Sequence, residues 1–163
     1  MTGCCTIRRA ELRDREALTD LCMRSKQSNG YDDAFMAQCA DELRVRDAWI
    51  IEDDFWLAEA PDGSVAGCIR LSTGEADGTG ELATCFVDPD WQGRQVGQSL
   101  FDVLVDRARA LKLTAIGLDA DPVAEPFYAR MGFRTVGRAP SNSIPGRMLP
   151  RMELKVDAGQ RGS

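Results

Sequence analysis

The chain has 163 residues, 44% of them hydrophobic and 28% charged, which is the make-up of one ordinary globular domain and excludes a disordered chain. A formal net charge of −6 argues against a nucleic-acid partner, and the lack of any histidine removes the usual general base, the usual triads and the common zinc sites. Six scattered cysteines without a C-x-x-C pair, and no apolar run of about 18 residues, lead to the expectation of a cytoplasmic protein with no metal and no membrane partner.

A short strand is expected at residues 5–9. Residues 13–26 then place Ala17, Leu18, Leu21 and Cys22 on one helical face. Ser28, Asn29 and Gly30 break that helix, and Asp32 or Asp33 caps a second one reaching about residue 46, with Phe35, Met36, Cys39, Ala40 and Leu43 in one stripe. Residues 49–60 and 65–72 read as a hairpin turned at Asp62 and Gly63, followed by a polar, glycine-rich loop over 73–80. Strand-like ELATCFV (81–87), a helix at 97–111 and a strand at 115–120 make a β-α-β unit, so this pair of strands is parallel. A short helix at 122–131 ends at Gly132, and the last strands fall at 133–137 and 152–156. Between them a long, proline-punctuated loop over 140–150 has the length of a segment that lines a site. The fold class is α/β, a mixed sheet of six to seven strands with helices on both faces, in one domain over 1–156 with a disordered tail at 157–163.

The stretch DPDWQGRQVGQSL, residues 88–100, joins the strand at 81–87 to the following helix. Pro89 withholds an N–H and stops the strand, and Gly93 and Gly97 let the backbone turn tightly. The first N–H groups of the helix have no partner within it and carry partial positive charge, so the loop forms a cup suited to an anion. Neither the dinucleotide fingerprint G-x-G-x-x-G nor the P-loop G-x-x-x-x-G-K-[ST] occurs in the chain.

The run Gln92-Gly93-Arg94-Gln95-Val96-Gly97 resembles the Q/R-x-x-G-x-G/A pyrophosphate loop of the GCN5-related N-acetyltransferases, the GNAT superfamily. The preceding Phe86-Val87-Asp88-Pro89 resembles that family's V-x-P strand end. Some thirty residues on, DPVAEPFYARMGF (121–133) resembles its N-P-x-A-x-x-F-Y-x-x-x-G-F signature. More loosely, the resemblance covers the whole order of elements from Thr6 to Leu154. Gln95 stands where the pattern has its first glycine, so a slightly altered loop is expected. Pro126 is tolerated if it lies in the first turn of its helix.

The resemblance implies an N-acetyltransferase that moves an acetyl group from acetyl-CoA to a primary amine of a small molecule or protein, without a metal. A non-catalytic acyl-CoA-binding or regulatory domain of the same fold is the alternative, and homodimers are frequent among such proteins. It implies coenzyme A held by the backbone of Phe86 and Val87, by the loop Gln92, Gly93, Arg94, Gln95, Val96, Gly97, Gln98 and Ser99, and by Asp121. Tyr128 matches the general acid that protonates the leaving thiolate, and Glu81 the position of a general base, with Asp119 or a water chain as alternatives. Substrate contacts are expected from residues 25–32 and 141–150. Asp32, Asp33 and the acidic balance would suit a cationic amine.

Overall fold

In the computed structural model, which describes residues 5–73 and 78–156, seven strands form one sheet in the order β1-β2-β3-β4-β5-β7-β6. The strands are β1 (Thr6–Arg9), β2 (Asp54–Glu59), β3 (Val65–Thr73), β4 (Thr79–Val87), β5 (Ala115–Asp119), β6 (Arg134–Pro140) and β7 (Met148–Lys155). The helices are α1 (Arg15–Gln27), α2 (Asp33–Leu43), α3 (Asp47–Glu52), α4 (Val96–Ala110) and α5 (Glu125–Arg130). Among the described strands β4 and β5 are the one parallel pair, as the β-α-β reading requires.

The sheet separates two apolar layers. Leu18, Leu21, Met36, Cys39, Leu43 and Ile50 of α1 to α3 pack with Phe55, Leu57 and Cys68 on one face. Leu100, Phe101 and Leu104 of α4 and Tyr128 of α5 pack with Ile69, Leu71 and Ile116 on the other. Burial on both faces is why β3 reads as a nearly continuous apolar run. A Cβ on Gly67 would lie 2.9 Å from Val96 and 3.0 Å from Leu100, so a glycine at this point of β3 lets α4 seat closely. Leu100 is fully buried there, and cutting it to alanine would cost about 2 to 5 kcal/mol. That seating brings the N-terminus of α4 to the end of β4.

Three boundaries differ from expectation. Residues 49–52 belong to α3 and not to a strand, because Ile50 turns into the layer of α1 and α2 and Trp49 packs against it. The strand begins only at Asp54, and α2 stops at Leu43, where Arg44 turns extended. The connection between the last two strands spans only 141–147, since β6 runs to Pro140 and β7 starts at Met148. β6 is an edge strand, where a proline leaves no ladder bond unmade. Pro126 falls in the first turn of α5, where its missing N–H costs little. The tail 157–163 and residues 74–77 of the glycine-rich loop lie outside the described residues.

Candidate active site

β4 and β5 pair only over Thr79, Gly80 and Glu81, opposite Ala115, Ile116 and Gly117. Beyond Glu81, β4 stays with β3 while β5 stays with β7 as far as Asp119 and Arg151, so the two parallel strands part. The register of β4 shifts at the same point. Leu82 pairs with Leu71 and Thr84 with Arg70, leaving Ala83 as a bulge, and a bulge bends and twists its strand. Ala83 is exposed between buried Leu82 and Thr84 and lines the resulting gap. The Asp88 N–H donates to Ala66 O at 2.8 Å, so by the two-residue alternation of an antiparallel ladder Phe86 also faces β3. Cys85 and Val87 therefore turn their backbone groups to the gap. Of the two residues expected there, Val87 offers its amide and Phe86 spends its own on Cys68.

At the outer end of the gap stands the loop before α4. Gln95 adopts φ 66° and ψ 14°, and Gly93 φ 79°. The left-handed turn at the position of the missing glycine is thus made by glutamine, at a cost of roughly 1 to 2 kcal/mol. Among the described residues the backbone N–H groups of Gln92, Gly93, Gln95, Val96, Gly97 and Gln98 find no acceptor. The expected side chains take other partners. Arg94 lies over the Trp91 ring at 5.0 Å, Gln98 donates to Asp102 at 2.8 Å, and Gln92 leans back on Val87 O at 3.4 Å. Ser99 is exposed in the first turn, its N–H on Gln95 O.

On the α4 and α5 face of the gap, Tyr128 is buried between the Phe127 and Phe133 rings, with its hydroxyl near the Cys85 thiol. Burial, then the neighbouring Cys85, push the Tyr128 phenol well above its ordinary value, and burial raises the Cys85 thiol to about 11. Both stay protonated near neutrality, so Tyr128 is a donor. At the inner end Arg151 of β7 donates to both oxygens of Glu81, at 2.7 and 3.0 Å, and to Asp119 at 3.1 Å. The Glu81 bond is the first cause holding the guanidinium firmly charged. Glu81, expected as a base, has each oxygen in that fork.

The opposite face carries a denser polar set. Asp121 caps the turn after β5 through the Val123 N–H, accepts from Tyr31 at 2.9 Å on each oxygen, and meets Lys26 at 3.1 Å. Arg147, from the 141–147 connection, donates to Tyr31 at 2.6 Å. Although burial works against it, the Val123 N–H and Lys26 hold Asp121 below the usual carboxylate range. Asp121, expected at the cofactor, is thus tied to the roof formed by residues 26–31 and 141–147. Below it, Arg70 of β3 bonds Thr84 at 3.0 Å and Asp53 at 2.6 Å and lies 3.8 Å over the Trp49 ring. Arg70 was not anticipated, although an arginine inside the apolar run VAGCIRLS was a visible signal. Lys26, Trp49, Arg70, Thr84 and Asp121 share with Tyr128 one cleft of about 890 Å³, within the range of roughly 300 to 1,000 Å³ of small-molecule sites.

A mixed sheet forked at its parallel pair, with a helix N-terminus at the mouth of the fork, is the architecture of acyl-CoA N-acyltransferases, and comparison with known proteins makes the relation specific. The chain belongs to the Acetyltransferase (GNAT) family, whose model matches residues 16–133. It is 32% identical over 108 residues to the amino-acid acetyltransferase of Mycobacterium tuberculosis, covering 65% of this chain and 59% of that one. It is 30% identical over 102 residues to the N-acetylaspartate synthetase of Danio rerio, covering 61% of this chain and 36% of that one. The chain thus spans about a third to three-fifths of these curated relatives. In fold it is similar to the PaiA N-acetyltransferase of Thermoplasma acidophilum in complex with coenzyme A, with a TM-score of 0.76, 19% identity and coverage of 93% and 98% of the two chains. Among the described residues no helix is long and apolar enough to cross a membrane, and no group of three or more metal-ligating side chains is placed to hold an ion.

Proposed function

We propose that the protein is an acetyl-CoA-dependent N-acetyltransferase acting on a primary amine. The observation that carries this is the set of partnerless N–H groups of Gln92, Gly93 and Gln95 to Gln98, at the mouth of a gap lined by Val87 and Tyr128. These amides, with the dipole of α4, suit a diphosphate. The backbone of Cys85 and Val87 suits the amide-bearing arm, and one of the two N–H groups suits the oxyanion. A glutamine that adopts the left-handed turn keeps the loop in the shape that coenzyme A binding needs, and a protonated Tyr128 at the gap favours an active enzyme over a binding module.

Bound acetyl-CoA supplies the thioester. The amine nitrogen forms a bond to its carbonyl carbon, the C–S bond breaks, and one proton leaves the nitrogen while one joins the sulfur. Tyr128 gives the sulfur its proton: the desolvation that raises the phenol also destabilises a thiolate formed beside it. Glu81, held in the Arg151 fork, acts as a fixed negative charge, and water takes the amine proton. The name of the mycobacterial relative supports a small-molecule acceptor over a protein one. The test is thiol release on incubating acetyl-CoA with a panel of amines, alongside thermal unfolding with acetyl-CoA alone. At a hundred times its Kd the ligand adds about 2.7 kcal/mol of stability, and no shift would sink the proposal.

A further inference from the structure

The Arg70 guanidinium is the least expected charge in the cleft. It is over nine-tenths buried, on the face of the sheet away from Tyr128. Nε is used on Thr84 and Nη1 on Asp53, and among the described residues Nη2 donates to none. Trp49 fixes its plane from one side. Burial draws this arginine below its ordinary range, yet a guanidinium remains charged at any physiological pH. A desolvated planar cation with donor capacity left over, in a ligand-sized cleft, is a carboxylate receptor.

Its position opposite Thr84 of β4 sets how far that carboxylate lies from the reacting nitrogen. Arg70 and Thr84 are Cα partners, one residue past the Ala83 bulge where the gap begins. The nucleophile enters the gap here, so a carboxylate carried close to its nitrogen comes within reach of a guanidinium bonded to Thr84. The acidic groups of the cleft do not offer a matching place for a second ammonium. Glu81 and Asp119 are held by Arg151, Asp53 by Arg70, and Asp121 by Lys26 and Tyr31. Glu42 is exposed at the rim and accepts from Ser143. The acidic balance would suit a cationic amine, but one with a second positive charge would bring it against Arg70.

We infer that the acetyl acceptor is an α-amino acid and that the Arg70 guanidinium receives its α-carboxylate, with the amino group turned into the gap beside Ala83. The inference rests on the N-acetyltransferase reading and deepens it.

The experiment compares free amino acids with their carboxamides, which keep the amine and lose the charge, as acceptors for the full chain with acetyl-CoA. At least one amino acid should exceed its carboxamide in kcat/KM by about thirty-fold or more, the size of a lost buried charge contact. Arg70→Gln should cost the amino acid far more in kcat/KM than its carboxamide, bringing the two together, with thermal stabilisation by coenzyme A confirming the fold. Arg70→Lys should restore part of the difference. Carboxamides or plain amines used as well as amino acids by the wild type would overturn the inference, as would equal losses for both acceptors in Arg70→Gln. Calorimetry on the wild type with coenzyme A present separates this from the function itself. If no amine releases thiol the enzyme reading fails, whereas N-acetyl amino acids binding no tighter than their amides refute the carboxylate site alone.

Discussion

The loop end of the cleft and its acceptor end are built of different material. From Gln92 to Gln98 the groups presented are backbone N–H, while Arg94 and Gln98 point at Trp91 and Asp102. Around Arg70 and Asp121 the groups presented are side chains, drawn from α1, α3, β3 and the connections after β5 and β6. A main-chain site depends on conformation, so it tolerates any residue able to take the required φ and ψ. A side-chain site depends on identity, so it can change its ligand while the fold stands still.

Substitutions can break this contrast or sharpen it. The largest effect belongs to the side chain that reaches the gap from α5. Tyr128→Phe should lower kcat about a hundred-fold or more, with affinity for acetyl-CoA retained, as read by thiol release and thermal shift. Next is a backbone change at the loop: Gln95→Pro forces φ near −65° where the chain needs 66°, and should weaken coenzyme A binding roughly tenfold in calorimetry, with acceptor discrimination intact.

A third test is acidification. Asp14, held in the Arg8 fork at 2.9 Å on each oxygen, and Asp121 both have depressed pKa values, so the unfolded chain binds more protons than the folded one. The stability they contribute is present above about pH 4 and lost as pH falls through their folded values. Melting temperature should therefore drop from pH 5 to pH 3, and Asp121→Asn should flatten that drop and alter acceptor KM more than coenzyme A affinity. The smallest effect is a gain. Gln95→Gly relieves the left-handed strain, less the entropy of a freer unfolded chain, and should raise the melting temperature by about 1 to 3 °C with coenzyme A binding unchanged.

The same division decides what could be read from the amino-acid order. Gly93, Gly97 and Pro89 mark a tight turn into a helix by local chemistry alone, and FYARMGF kept Tyr128 in phase with it, so the loop half was legible. The parting of β4 from β5 was not legible locally, because ELATCFV reads as any buried strand and the Ala83 bulge leaves no compositional trace. Trp49 went astray because Trp-Ile-Ile suits a strand by local preference, and packing onto α1 and α2 made it a helix. Arg70 with Trp49, Asp53 and Thr84, and Asp121 with Lys26, Tyr31 and Arg147, are pairs separated by 14 to 95 positions, which no local pattern can join.

Arg151 has a consequence for how the cleft exists at all. Two parallel strands with free edges gain hydrogen bonds by closing like a zipper, and a split once started can also run on down the sheet. The guanidinium from β7 crosses the crotch of the split, holding Glu81 of one branch and Asp119 of the other, and it lies so close over Gly117 that any Cβ there would push it aside. It acts as a rivet that sets where the tear stops. The slot is then cut to a fixed length before any ligand arrives, and a methyl group added at residue 117, far from the mouth, would change how deep a ligand can go.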